Sequence, residues 1–397
     1  MISCREAQRL IGRYPVQFGS ERVALACARG RILVQDILAD RDGPPFHRVA
    51  MDGIAVASKV YGQGQREFTC EGLQAAGAPI TQLKSPLACI ESMTGAVLPI
   101  GCDAVIPFEK CEKQGDHYLA KEMIVEPWAN VHRCASDFKK GQNILTTGVM
   151  LRSPECGVLA SLGYTDVSVR RGPKIAIITT GSELVEVSDR PLTHQIRKSN
   201  VFAAQWALQQ RGFCDVRLHH LNDQLQETEE RLNEWLNTCD ILIVSGGVSK
   251  GKLDFVPQAL ENIQVHKVFH HIAQKPGKPM WFGHRHHHLV FALPGNPVSM
   301  LICLERYVIP HLEACRGQLP SCWSLPSLDL AKARPELTQF KTAKICSLPS
   351  GCSGVQILKD HGSGDFASLC GGDGFIEIPP ATQDYPAGTH FRYFPWS

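Results

Sequence analysis

The pattern of hydrophobic and polar positions changes character several times along the chain. Between residues 172 and 317, short apolar runs rich in β-branched residues alternate with longer segments whose apolar residues recur at helical spacing. The predicted strands lie at 174–178, 216–218, 240–244, 265–272 and 289–293, and the predicted helices at 200–211, 224–237, 254–262 and from 297 to about 311. Because runs that are apolar throughout alternate with helices, this stretch predicts a parallel sheet covered on both faces.

The flanking stretches predict β-rich and mixed units. Residues 42–138 and 318–397 carry short β-type runs separated by Gly and Pro, which is typical of small β domains. Residues 1–41 and 139–171 have mixed patterns, and we expect them to pack together as a split N-terminal domain. The β unit at 42–138 would then be an insertion within this split domain, and the α/β unit at 172–317 would follow it.

The length, composition and charge of the chain limit the kinds of protein that it can be. A chain of 397 residues with 44% hydrophobic residues predicts two to four packed units. The 41 basic and 39 acidic residues leave a net charge of +2, which favours neither nucleic acid nor an anionic membrane as a partner. No apolar run approaches the length of a membrane span, and the N-terminus carries charge where a signal peptide is apolar. We therefore expect a cytoplasmic protein.

Two features that suggest metal chemistry have simpler interpretations. The 16 cysteines form no C-x-x-C pair, so buried reduced thiols are expected. The tract HRHHH at 284–288 lies between two apolar runs, which is typical of a polar hairpin tip.

Unusual residues follow the predicted strands of the α/β unit. TTGSEL (179–184), SGGVSKGKLD (245–254) and LPGNPVS (293–299) each combine Gly or Pro with small hydroxyl residues, and QKPGKP (274–279) adds two lysines. Each stretch alone is compatible with a plain turn and helix cap. Because the carboxyl ends of strands in such a sheet form the ligand crevice, and because glycine backbone, helix N-termini and lysines all suit anions, together they predict a site for a phosphorylated ligand.

Two stretches outside the α/β unit supply further carboxylates. PPFHRVAMDGIAV (44–56) contains Asp52, and HRCASDFKKGQNIL (132–145) contains Asp137. With Glu183 of TTGSEL, these are hard oxygen ligands of the kind that bind Mg²⁺ between protein and phosphate.

Together these motifs resemble one family over nearly the whole chain. The chain is similar to the MoeA family, the molybdopterin molybdenumtransferases, and to the matching C-terminal parts of gephyrin and its plant relative. The segments that carry the resemblance are PPFHRVAMDGIAV, MTGAVLP, ASDFKKGQNIL, TTGSEL, KSNVFAAQWALQQRGF, SGGVSKGKLDFV, QKPGKPMWFG and LPGNPVSM.

The resemblance implies a multidomain α/β fold. Its parts are a molybdopterin-binding three-layer α/β domain, a β-rich inserted domain, a split N-terminal domain and a C-terminal β-barrel. It also implies an elongated homodimer whose cleft combines the α/β domain of one subunit with the inserted domain of the other.

The implied reaction belongs to molybdenum cofactor biosynthesis. Adenylylated molybdopterin, supplied by a MogA-like protein, receives molybdate at its dithiolene in the presence of Mg²⁺, and AMP is released. The resemblance implies catalytic roles for Asp52, Glu183 and Asp254, and metal binding by Asp52, Asp137 and Glu183. The substrate-binding residues that it implies are Thr94, Ser199, Asn200, Gly246, Gly247, Ser249, Lys275, Lys278, Pro294, Asn296, Pro297 and Ser299.

The chain departs from the family pattern in one loop. The family's SGGVS loop usually carries an acid where this chain has Lys252, whereas the later acid is present as Asp254. A lysine would weaken a cation site or strengthen an oxyanion site at this position. This departure leaves open a MoeA paralogue that binds a pterin or nucleotide without inserting molybdate. A second alternative is a nucleotide hydrolase of the competence-damage type, which shares the α/β domain. The β-rich stretch at 42–138 argues against the hydrolase.

Overall fold

The computed structural model describes residues 1–16, 19–122, 124–248, 254–318, 322–348, 351–359 and 362–396. Contacts group the chain into two compact units, one of Met1–Glu21 with Arg170–Ser397 and one of Arg22–Val169. Among the described residues, every helix is too short or too polar to cross a bilayer.

The helices lie in both units. They are α1 (Cys4–Ile11), α2 (Ser58–Gly62), α3 (Ser153–Ser161), α4 (Asn200–Gln210), α5 (Leu225–Thr238), α6 (Val256–Asn262), α7 (Pro297–Cys303) and α8 (Ile309–Cys315). A π-helical turn, Leu304–Val308, joins α7 to α8, so the helix that begins at Pro297 continues to Cys315.

The strands are short and numerous. They are β1 (Ser20–Ala24), β2 (Ile37–Leu38), β3 (Arg48–Val49), β4 (Gly53–Val56), β5 (Glu67–Gln74), β6 (Ala88–Ser92), β7 (Ala104–Pro107), β8 (Cys111–Gln114), β9 (His117–Ala120), β10 (Val131–His132), β11 (Asn143–Leu145), β12 (Asp166–Arg170), β13 (Ile175–Thr180), β14 (Leu184–Val185), β15 (Ile196–Arg197), β16 (Val216–Leu221), β17 (Ile241–Ser245), β18 (His266–His270), β19 (Gln274–Lys275), β20 (Trp281–Arg285), β21 (His288–Leu293), β22 (Trp323–Pro326), β23 (Thr338–Ser347), β24 (Ser353–Ile357), β25 (Gly374–Ile378) and β26 (His390–Pro395).

The central sheet of the first unit has the order β16-β13-β17-β21-β20-β18. The first four strands are parallel, as predicted, but β20 and β18 run antiparallel to their neighbours. Strand β20 is antiparallel to β21 because a short turn between Arg285 and His288 joins them, and such a turn can join only antiparallel strands. The predicted hairpin tip in HRHHH is that turn. Because β18 is antiparallel to β20, it runs in the same direction as the four parallel strands. The sequence analysis predicted this strand but not β20, which separates it from β21.

Side chains on the parallel strands alternate between two hydrophobic clusters. Ile175 and Ile177 face one cluster, which includes residues of α4 and of the helix 297–315. Ala176 and Ile178 face the other, which includes residues of α5 and α6. Because both faces are buried, the stretches 175–178, 241–244 and 289–293 are apolar throughout, and this is the pattern from which the sheet was predicted.

Helix α1 packs with the α/β unit. Its residues Cys4, Ala7 and Ile11 are buried in the cluster that holds α4 and the helix 297–315. The sequence analysis had grouped this segment with residues 139–171. The predicted division into four domains otherwise stays a prediction.

A second sheet in this unit has the order β19-β23-β25-β26-β22, with β24 paired to β23. Strand β19 belongs to the QKPGKP stretch and runs parallel to the start of β23, with Gln274 opposite Thr338. The C-terminal β sheet is thus hydrogen-bonded directly to a predicted site motif.

The second unit contains a six-stranded sheet of order β7-β4-β6-β5-β9-β8. Its two faces bury separate clusters, one around Val49, Ala55 and Ile90 and the other around Ile54 and Cys89. A further cluster joins residues that precede this sheet in the sequence to residues that follow it.

We expect the buried ion pair between α7–α8 and β25 to contribute strongly to stability. The Arg306 side chain is 1% exposed, and its Nε lies 2.9 Å from Glu377 Oε2. In Glu377→Ala a buried guanidinium loses its carboxylate, so the free energy of unfolding should fall by about 3 kcal/mol. Glu261→Ala breaks the exposed pair with Lys267 and should cost less than about 1 kcal/mol. Equal thermal unfolding midpoints for the two variants would contradict this.

Candidate functional site

A cleft opens where three parallel strands end. It has a volume of about 570 Å³ and lies beyond the ends of β13, β17 and β21, at the point where the strand order reverses around β13. The residues of the sequence prediction that line it are Glu183, Ser199, Asn200, Gly246, Gly247, Asp254, Pro294, Asn296 and Pro297. The structure therefore brings together motifs that are more than a hundred residues apart in the sequence.

Glycines allow the loops around this cleft to touch. Gly246 has φ +103°, and a Cβ there would lie 2.7 Å from Thr180 Oγ1. A Cβ on Gly295 would lie 3.4 Å from the Gly246 Cα. The Gly246 N–H donates to Leu293 O at 3.1 Å, so it is not free to donate to an anion. This glycine instead allows the two loops to approach closely.

Asn200 connects the loops through its side chain. Its Nδ2 donates to Ser245 Oγ at 2.9 Å and to Gly295 O at 2.7 Å. Asn200 Oδ1 and Thr180 Oγ1 are both buried and have no hydrogen-bond partner within the part of the chain that the structure describes. Two such atoms in residues that line a cleft can accept hydrogen bonds from the N–H or O–H groups of a ligand. Sequence reasoning included Asn200 but assigned no role to Thr180.

Carboxylates line the same cleft. Glu183 and Asp254 were predicted, and Asp223, which was not, accepts a hydrogen bond from the Ser182 N–H at 3.2 Å. Mg²⁺ binds through one or two carboxylates together with substrate phosphates, so this donor set fits that ion. Among the described residues, no group of three or more His, Cys, Asp or Glu is arranged to hold a metal by itself.

A second cavity of about 410 Å³ contains the predicted lysines. Lys275, Lys278 and Ser299 line it, and it shares Asn296 and Pro279 with the first cleft. Two cations that the sequence analysis missed, Arg334 and Lys341, also line it, and its described lining contains no carboxylate. Ser249, Lys250 and Lys252 lie outside the described residues.

The other unit holds Asp52 and Thr94 next to each other. Thr94 donates to Asp52 Oδ1 from its backbone N–H at 2.6 Å and from its hydroxyl at 2.8 Å. These hydrogen bonds, the backbone one first, lower the pKa of Asp52 below its usual range. The segments PPFHRVAMDGIAV and MTGAVLP therefore meet at the Asp52 carboxylate.

Asp137 takes part in a chain of hydrogen bonds in the same unit. Arg48 Nη2 lies 2.9 Å from His132 Nδ1, and His132 Nε2 lies 2.7 Å from Asp137 Oδ1. Because the guanidinium can only donate, it assigns the proton of the neutral ring to Nε2, which donates to Asp137. The sequence analysis gave His132 no role.

Comparisons with known proteins agree with the predicted family. Residues 2–163 match the family model described as the MoeA N-terminal region, domains I and II, and residues 176–314 match the probable molybdopterin binding domain. A molybdopterin molybdenumtransferase of Synechocystis sp. is 38% identical over 100% of both chains. The chain belongs to the MoeA family.

Other relatives agree over the full length. A molybdopterin molybdenumtransferase of Haemophilus influenzae is 31% identical over 98% of this chain and 97% of its own. The crystal structure of the molybdopterin biosynthesis MoeA protein of Pyrococcus horikoshii covers 100% of both chains with a TM-score of 0.83 and 27% identity. The predicted family, multidomain α/β fold and transferase class are confirmed, and the comparisons do not favour the non-transferase alternatives.

We expect the Thr94 hydroxyl to help keep Asp52 ionised at pH values below the usual pKa of an aspartate. Thr94→Val retains the backbone N–H but loses the side-chain donor, so the pKa of Asp52 should rise toward that of an ordinary aspartate. Thr94→Ser keeps both donors and should leave the pKa unchanged. Titration of the Asp52 carboxyl carbon by NMR measures this, and a pKa that is the same in Val and Ser variants would refute it.

We expect Gly246 to be intolerant of a side chain. In Gly246→Ala the methyl group meets Thr180 Oγ1 at 2.7 Å and the backbone keeps a positive φ. Gly317→Ala is the matched control, because its φ is +83° but no atom lies within 4 Å of the added carbon. The control should cost about 1 kcal/mol of stability and the Gly246 variant clearly more. Chemical denaturation that ranks the two equally would contradict this.

Proposed function

We propose that the chain inserts molybdenum into molybdopterin. Adenylylated molybdopterin binds in the 570 Å³ cleft, molybdate binds in the adjoining 410 Å³ cavity, and transfer of the metal to the dithiolene accompanies release of AMP. The observation that carries this proposal is that a cleft lined by carboxylates, Asn200, Arg197 and Lys198 lies next to a cavity whose described lining has cations and no carboxylate, in a chain of this family.

The two cavities suit different parts of the reaction. Lys275, Lys278 and Arg334 provide cationic donors for a tetrahedral oxyanion. In the first cleft, Asn200 Oδ1 and Thr180 Oγ1 accept hydrogen bonds from N–H or O–H groups of the pterin nucleotide. The remaining predicted binding residues of this unit, apart from Ser249, line one cavity or the other.

Glu183 and Asp254 are the residues that we propose to hold Mg²⁺ together with substrate phosphate. When bound, the ion neutralises charge on the departing phosphate. Roles for Asp52 and Asp137 in metal binding, and for Asp52 in catalysis, follow from the family resemblance. The hydrogen bonds from Thr94 support this for Asp52, because they stabilise its ionised form.

Four finer features are also proposals. The chain acts as a homodimer, receives its substrate from a MogA-like protein and works in the cytoplasm. Its C-terminal domain closes as a β-barrel, which is supported by a bridge between Ser327 and Val355 that links the strand end after β22 to β24.

The test is release of AMP by the purified protein. With adenylylated molybdopterin, Mg²⁺ and molybdate we expect AMP and active cofactor, whereas tight ligand binding without AMP release would indicate the non-inserting paralogue.

Lys275→Ala and Lys278→Ala should each lower the rate of AMP release at limiting molybdate by about tenfold or more, because each removes a charge-assisted contact. Lys267→Ala, which removes an exposed lysine paired with Glu261, should leave the rate unchanged.

A further inference from the structure

The turn that carries Lys275 and Lys278 is held from inside the protein by one amide side chain. Gln274 is 1% exposed. Its Nε2 donates to Pro276 O at 3.1 Å and to Cys303 Sγ at 3.4 Å, and its Oε1 accepts from the Tyr307 hydroxyl at 2.5 Å. When both the nitrogen and the oxygen of a buried amide have hydrogen-bond partners, the amide restricts the conformation of the backbone to which it is bonded.

The orientation of this amide follows from its partners. Pro276 O can only accept, so the atom facing it must be the amide nitrogen. The Tyr307 hydroxyl then faces the amide oxygen as a donor. Burial raises the pKa of the Tyr307 phenol, which keeps the hydroxyl protonated. Cys4 Sγ of α1 lies 3.5 Å from the same amide oxygen.

Close packing leaves the turn little freedom. Gly277 has φ +92°, and a Cβ there would lie 2.5 Å from Gln274 Nε2 and 2.7 Å from Cys303 Sγ. Cys303 Sγ lies 3.6 Å from Gly277 O. Two successive carbonyls of the turn are therefore bonded to buried side chains, while Lys275 and Lys278 on either side are exposed and line the 410 Å³ cavity.

The backbone on either side of the turn is anchored separately. Gln274 pairs with Thr338 in the parallel ladder between β19 and β23, and the Ile272 N–H donates to Lys278 O at 2.9 Å. The ends of the turn are thus set by backbone bonds, and its tip is set by Gln274 and Cys303.

We propose that Gln274 is a positioning residue that holds the Pro276–Gly277 turn so that Lys275 and Lys278 converge on one oxyanion. The identity of that oxyanion as molybdate rests on the function proposed above. Gln274 itself does not bind the anion in this scheme. It acts through the carbonyl of Pro276, and Tyr307 acts through Gln274.

The loss of this amide should affect affinity more than turnover. In Gln274→Met the side chain keeps a similar volume but cannot donate to Pro276 O, so the two lysines no longer hold one arrangement. We expect the KM for molybdate to rise about tenfold and kcat to change by less than about twofold. Tyr307→Phe, which keeps the ring and removes the hydroxyl, should raise the KM about threefold.

Ile309→Val is the matched control. Ile309 is buried in the same hydrophobic cluster as Tyr307, so its truncation loosens the core without removing a bond to Gln274 or to the turn. It should leave the KM for molybdate unchanged. A KM raised equally in Ile309→Val and Gln274→Met would overturn the proposal, because general loosening would then explain both.

Hydrogen exchange separates this inference from the function on which it rests. In Gln274→Met we expect faster exchange of the amides at Lys275, Gly277 and Lys278 and unchanged exchange in β17, and in Ile309→Val no change at these three amides. Unchanged exchange at the turn in Gln274→Met would refute the positioning role of Gln274, whichever anion binds the two lysines. A wild-type protein whose AMP release does not depend on molybdate would instead refute the proposed function and leave the exchange result to decide the role of Gln274.

Discussion

The convergence of parallel strands on one edge is the constraint on which the site depends. Strands β13, β17 and β21 pair in register and are buried on both faces, so they end at the same level and in the same direction. The segments after them must then share the space beyond that edge. Side chains at the contact would keep these loops apart, and glycine at 246 and 295 lets their backbones approach. Asn200, at the start of α4, bonds across the gap.

The long helix 297–315, which begins within LPGNPVS, borders both cavities. Its first residue, Pro297, lines the 570 Å³ cleft, and Ser299 lines the 410 Å³ cavity. Cys303 and Tyr307 follow at intervals of four residues, so they lie near one face of the helix and meet Gln274. Carboxylates and Asn200 line one cavity together with Arg197 and Lys198, whereas the described lining of the other contains cations and no carboxylate; Asn296 borders both. One helix thus contributes residues to two cavities of different charge.

Much of this arrangement was predictable from local patterns. Apolar runs predicted β13, β17 and β21, and small residues after each strand predicted Gly246, Gly247 and Asn296 as neighbours. Asp223 and Arg334 were missed because nothing in their immediate sequence distinguishes them. Thr180 lies within the predicted TTGSEL motif, but the motif does not show which of its hydroxyl groups faces the cleft. Ser299, Cys303 and Tyr307 follow one another at intervals of four residues, which weakly indicates that Tyr307 lies on the same helix face as the site. A buried tyrosine at helical spacing, however, more often only packs in the hydrophobic core. Strand β20 was missed because its apolar part, Trp281 and Phe282, is too short to predict a strand by itself.

The sequence by itself determined the family, the alternating α/β unit and the motifs that meet at the ends of its strands, because strand periodicity, glycine and proline act over a few residues. Tertiary structure alone decided which atoms are left to bind a ligand. Gly246 N–H is taken by Leu293 O, whereas Thr180 Oγ1 and Asn200 Oδ1 have no partner among the described residues. It also decided that Gln274, which the sequence shows only as a polar residue beside a lysine, is buried beneath the turn. These outcomes depend on contacts between residues far apart in the chain, and such contacts leave no local pattern.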